Sequence, residues 1–159
     1  MGCGKTEVAR CLATQLNAEV VDLDDVITAE VGRSPARLIA EDGEKAFRTV
    51  ETKVLRELLA TTSAAVIALG GGTWIETANR RLIIDAGGTT VWLDTSFEVC
   101  WQRIEASGDD RPLGKSREQA LKLFETRRPT YELAPIRISS TAEETPAQLA
   151  SRIVAEIPS

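Results

Sequence analysis

The 159 residues are 43% hydrophobic and 27% charged, the balance of a single soluble globular domain with room for a proper core. A net charge of −5 excludes a general nucleic-acid or anionic-membrane surface, so positive charge that matters must be gathered in a site. With no histidine, imidazole acid–base chemistry and His-ligated zinc are also excluded, and three widely spaced cysteines (Cys3, Cys11, Cys100) fit reduced thiols in a cytoplasm.

The chain opens on Gly2-Cys3-Gly4-Lys5-Thr6, the second half of a phosphate-binding loop. In such a loop backbone N–H groups point at the phosphates, lysine reaches them as a point charge and the threonine hydroxyl ligates Mg²⁺. Apolar residues at Val8, Leu12, Ala13 and Leu16 predict the helix this loop must open. The first half of the loop and the strand before it are not in the sequence. Losing a central strand would cost about 5–10 kcal/mol of burial, so the reading places the natural start about ten residues upstream of Met1.

A short strand over 18–21 then ends at Asp22-Leu23-Asp24-Asp25, acids at a strand's C-terminal end, where open α/β sheets bind ligands. On an extended backbone Asp22 and Asp24 face one side, while Asp25 is the expected cap of a helical turn over 26–30. Gly32-Arg33-Ser34-Pro35 starts a second short helix ending near Glu41. From Glu44 to Leu59 an amphipathic helix sets Phe47, Val50, Val54, Leu55 and Leu58 on one stripe, with Arg48 and Glu51 reading as an i,i+3 surface pair.

Residues 64–69 are a continuous apolar strand that runs into Gly70-Gly71-Gly72, a costly triplet unless a ligand lies against bare backbone. A helix over 77–86, a strand over 89–93 and a helix over 97–106 carrying Cys100, Trp101 and Arg103 follow. The polar, Pro- and Gly-broken stretch from 107 to 116, with Arg111, reads as a lid. A helix from Ser116 to Arg127 is expected to stop before Pro129, followed by a strand over 135–139 and a closing helix over 146–157. The alternation predicts a parallel α/β sandwich of P-loop type, a small triphosphate-dependent kinase with an internal lid.

Six stretches stand in one order and spacing: GCGKT at 2–6, DLD at 22–24, GE..FR..E from Gly43 to Glu51, GGG at 70–72, RPL at 111–113 and RRPTY at 127–131. Together they resemble shikimate kinase over nearly the whole chain. The resemblance implies a P-loop NTPase-type parallel sheet sandwiched by helices, of nucleoside-monophosphate-kinase kind, in a single domain over 1–159 with substrate-binding helices at about 24–60. It implies transfer of the ATP γ-phosphoryl group to the 3-hydroxyl of shikimate, in aromatic amino-acid biosynthesis. Carried over, Gly2, Cys3, Gly4, Lys5 and Thr6 form the nucleotide loop, Asp22 joins Thr6 in holding Mg²⁺, and Asp24 binds the reacting hydroxyl. Arg48 and Arg127 grip the carboxylate, Gly70, Gly71 and Gly72 lie against the ring hydroxyls, Arg111 closes on the phosphates and Arg103 flanks the adenine. The expected partners are shikimate and ATP alone, with no nucleic acid and no membrane, for a cytoplasmic monomer.

Two departures stand out: Gly114 where the family commonly has a second leucine after RPL, and the missing first strand. A gluconate-type sugar-acid kinase shares fold and loop, and a non-catalytic nucleotide-binding remnant is the reading from another class. Cys3, among loop amides at a helix N-terminus, is a candidate for thiol modification that MgATP blocks.

Overall fold

The structure, a computed structural model, describes residues 2–62, 65–107 and 116–158. Two parallel strand pairs form its centre. β1 (Glu19–Asp22) pairs with β2 (Ala65–Ala68), Val20 opposite Val66 and Asp22 opposite Ala68. β3 (Val91–Thr95) pairs with β4 (Ile136–Ser140), Trp92 opposite Arg137. Parallel partners need long crossovers, and the helices between these strands supply them. Among the described residues no strand joins the two pairs.

Helices bind the pairs together. α1 (Lys5–Leu16) and α8 (Pro146–Glu156) pack on each other, and α8 starts in a capping box between Thr145 and Gln148. Their Val8, Leu12, Leu149, Ala150 and Ile153 share one core with Val66 of β2, Leu93 of β3, and Ile136 and Ile138 of β4. That single layer touches both strand pairs. A second core gathers α2 (Leu23–Val31), α3 (Pro35–Asp42), α4 (Glu44–Thr61) and α5 (Thr77–Asp85). Leu23, Ile27 and Leu55 in it are fully buried, each contributing roughly 1.5–3 kcal/mol. A 3-10 turn, Thr73–Ile75, leads from β2 to α5, and α6 (Phe97–Ser107) and α7 (Arg117–Tyr131) complete the described elements.

Two boundaries differ from expectation by three residues or more. α2 begins at Leu23, three residues early, because Asp22 caps it: the Asp22 carboxylate accepts from the Asp24 N–H at 3.1 Å, and Asp25 lies inside the first turn. α7 runs through Pro129 to Tyr131 instead of stopping. Proline removes one helical hydrogen bond, yet the last turn keeps Glu132 N–H on the Arg128 carbonyl and has tertiary partners described below. Arg111 and the body of the expected lid lie outside the described residues.

Candidate active site

The loop half of the site is built from backbone. Gly2 and Gly4 hold φ of +68° and +83°, the left-handed region that side chains resist, and Gly4 delivers the chain into α1. Gly2 is also pressed on α6: a β-carbon there would lie 2.4 Å from the Cys100 carbonyl oxygen. Arg103, one turn along α6, reaches the Gly2 carbonyl with Nη1 at 3.5 Å. A cavity of about 290 Å³ beside the loop is lined by Cys3, Gly4, Arg103 and Pro146.

Thr6 and Asp22 meet where α1 starts and β1 ends, the Thr6 hydroxyl donating to Asp22 Oδ2 at 3.0 Å. One carboxylate thus caps α2 with one oxygen and faces the loop hydroxyl with the other. These are hard oxygen donors, the chemistry Mg²⁺ takes, and so they fit such an ion. Burial raises the Asp24 carboxyl above the ordinary aspartate value; the Lys5 charge pulls it back, and Asp22 pushes it further up. Lys5 and Asp24 are therefore close enough to bear on one another, although they come from different elements.

The second half of the site is built from side chains. Arg48 of α4 donates to both oxygens of Glu51, at 3.0 and 2.8 Å, and to Glu44 at 3.1 Å. Glu51 is fully buried and accepts the Thr73 hydroxyl at 2.7 Å. The pair read from sequence as a surface one is thus a buried ion pair, whose loss on one side costs about 3–5 kcal/mol. Burial works to lower the Arg48 guanidinium, but its bonds to Glu51 and Glu44 win and hold it more firmly protonated. Burial pushes Glu51 up, against the pull of Arg48 and Thr73.

The glycine turn closes on these groups. A β-carbon on Gly70 would lie 3.3 Å from Asp24 Oδ1 and 3.5 Å from Glu51 Oε1, and one on Gly72 only 2.1 Å from Arg48 Nη2. Neither glycine is needed here for a left-handed φ. They are needed for room. The Gly71 carbonyl accepts the Tyr131 hydroxyl, and Tyr131 follows Arg127 by one helical turn on α7. Arg127 is only 9% exposed and lines a small cavity with Cys100, Phe124 and Tyr131. Burial raises the Tyr131 phenol, with the Arg127 charge acting against it.

The structure therefore brings Lys5, Asp22, Asp24, Arg48, Gly70 and Gly72 into one neighbourhood, with Arg127 reaching it through Tyr131. Sequence reasoning missed Thr73, Trp74 and Tyr131 as supports and misjudged Glu51. Only Glu51 and Tyr131 had a signal, as members of quoted motifs; nothing local marks Thr73 or Trp74.

A phosphate loop opening a helix on a parallel α/β core, facing an acid and a buried arginine across bare glycines, defines a small-molecule kinase of the P-loop class. The sequence model of the shikimate kinase family matches residues 1–158. The chain is 38% identical to the shikimate kinase of Trichormus variabilis, an alignment covering 100% of this chain and 87% of that one. With the shikimate kinase of Persephonella marina it shares 35% identity over 99% of this chain and 94% of that one. The solved structure of shikimate kinase from Acinetobacter baumannii in complex with shikimate superposes with a TM-score of 0.89, at 34% identity, over 98% of this chain and 87% of that one. This chain belongs to the shikimate kinase family. Its reaction is ATP-dependent phosphorylation of shikimate, and neither a gluconate-type kinase nor a catalytically empty remnant is favoured.

Proposed function

We propose that the chain, as one kinase domain over 1–159, transfers the γ-phosphoryl group of ATP to the 3-hydroxyl of shikimate with its roles divided as the two halves suggest. The observation that carries this reading is the close approach of Gly70 to Asp24 and of Gly72 to Arg48, which leaves bare backbone between an acid and a cation. A ring bearing a carboxylate and hydroxyls fits between such groups. Gly2, Cys3, Gly4 and Lys5 take the phosphates through backbone N–H groups and the lysine charge. Arg103 and the cavity beside it take the adenine. Thr6 and Asp22 hold Mg²⁺, which when bound neutralises charge on the phosphates.

Asp24 orients the acceptor hydroxyl and takes its proton. Burial raises its pKa and so makes its carboxylate a better base than a free aspartate, with the Lys5 charge acting against that rise. Arg48, held in its rotamer by Glu51 and Glu44, offers a guanidinium fork to the substrate carboxylate, and Arg127 supplies the second. Gly71 and its neighbours pack on the ring hydroxyls, and Arg111 closes on the phosphates from the lid. The protein is read as a cytoplasmic monomer that takes shikimate and ATP and neither nucleic acid nor membrane; among the described residues no helix is long and apolar enough to cross one.

Coupled ADP release with MgATP, measured with shikimate and with gluconate, tests the division of roles when run on Asp24→Asn and Arg48→Lys variants. The expected result is turnover with shikimate alone, a kcat loss of about 10²–10⁴ for Asp24→Asn, and a KM rise for shikimate in Arg48→Lys. A Asp24→Asn variant that keeps its kcat would overturn the role given to Asp24.

A further inference from the structure

The two arginines that grip the carboxylate stand on elements far apart in the chain. Arg48 is on α4, and Gly72 presses on its guanidinium. Arg127 is near the end of α7, in a stretch where Pro129 has deleted a helical hydrogen bond. That last turn is not fixed by the helix alone. It is fixed from outside, and in both directions. The Tyr131 hydroxyl of α7 donates to the Gly71 carbonyl of the glycine turn, and the Trp74 indole Nε1–H just past that turn donates to the Thr130 carbonyl of α7 at 3.0 Å.

Each segment thus offers one side-chain donor to the backbone of the other. A single bond of this kind fixes one point of contact between the two segments; two of opposite sense fix their register as well. Trp74 is buried, so its N–H has no ready replacement in water. On the far side the Tyr131 ring meets Trp92 with centroids 6.2 Å apart. There Arg128 also grips Asp94 of β3 through two bonds, at 3.0 and 3.3 Å, so the turn is braced against the sheet as well.

We propose that Tyr131 and Trp74 form a reciprocal latch that sets the spacing of Arg127 from Arg48, making both of them positioning residues for the substrate carboxylate. The proposal rests on the reading that Arg48 and Arg127 take that carboxylate. Neither latch residue touches the reacting atoms; each acts through an arginine. Bidentate recognition of a small planar anion by two guanidinium groups tolerates little misplacement, so a loosened α7 turn loses acceptor affinity while the nucleotide half, held by α1 and α6, keeps its own.

The test uses Tyr131→Phe and Trp74→Phe, each of which removes one donor and keeps an aromatic ring. Steady-state kinetics on the whole chain would give KM for shikimate, KM for ATP and kcat, with thermal unfolding run alongside. Calorimetric binding would compare shikimate with its methyl ester, in which the carboxylate charge is gone. The expected result has three parts. Wild type prefers the acid. Each variant raises the shikimate KM about five- to tenfold, with the ATP KM and kcat within about twofold. The variants' weakening disappears when the ester is the ligand.

If wild type prefers the acid but both variants leave its KM unchanged, the latch is overturned and the carboxylate reading stands. If KM for shikimate and for ATP rise together as the unfolding midpoint falls, the residues are general supports and the latch is again overturned. If wild type binds acid and ester alike, the carboxylate reading itself fails and the latch falls with it.

Discussion

The two halves of the proposed active site hold their shape by different means. The nucleotide half is mostly backbone: left-handed glycines, a helix N-terminus, and a few side-chain bonds such as Thr6 to Asp22. The acceptor half is mostly side chain: a buried carboxylate holding Arg48, a threonine holding that carboxylate, and an aromatic pair tying α7 to the glycine turn. The difference follows from the ligands proposed for each half. Phosphates are alike in every nucleotide, so amide dipoles and one lysine suffice. A small ring acid must be told from other acids by the placement of a few forks, and forks on long side chains need partners to hold them.

Four substitutions break or sharpen this contrast. Lys5→Met takes the only side-chain charge from the loop motif, and kcat should fall about a thousandfold with the shikimate KM little changed. Gly2→Ala strains a φ of +68° and sets a β-carbon 2.4 Å from the backbone oxygen of Cys100, which cannot yield as a side-chain tip can. Thermal or urea unfolding should show a loss of about 2–3 kcal/mol, and the KM for ATP should rise. Gly72→Ala is its mirror image, because the atom in the way is the end of Arg48. The displaced guanidinium strains its bonds to Glu51 and Glu44, so some stability is lost, while the KM for shikimate rises about tenfold and that for ATP stays. Should Gly72→Ala raise the ATP KM equally, the two halves are not separable in the way described.

The smallest effect is the pH dependence that Glu51 imposes on stability. Its carboxyl is raised above 4.5 by burial, so the folded state holds a proton that the unfolded state gives up. Its contribution is fully present below that ordinary value and is lost as pH rises through the raised one. Wild type should therefore lose stability relative to Glu51→Gln as pH increases across that window, at under about 1.4 kcal/mol per pH unit, and the difference should be flat above it. Urea unfolding of both proteins across the acid range would measure it. A difference that grows with pH in favour of wild type would mean that Arg48 outweighs burial.

Much of this was legible in the sequence because it is local. A Gly-x-Gly-Lys-Thr run dictates a loop and a following helix, an apolar run of six dictates a strand, though one buried only at Ala68, and Ser34-Pro35 dictates a helix start. The order of elements and the candidate residues follow from such local rules, and the structure places Lys5, Asp24, Arg48 and the glycines together. What local rules left undecided is burial and company. Spacing paired Arg48 with Glu51, but only the approach of Thr73 and the glycine turn makes that pair a buried one. Asp22 took the capping role expected of Asp25 because the turn from β1 into α2 set its oxygen nearest the free N–H. α7 passed Pro129 where propensity alone stops it, with Gly71 and Trp74 waiting on the far side. Backbone conformation is chosen within a few residues of each position, whereas the dielectric around a charge and the partner of a donor are set by segments dozens of residues away, and so only the folded chain decides them.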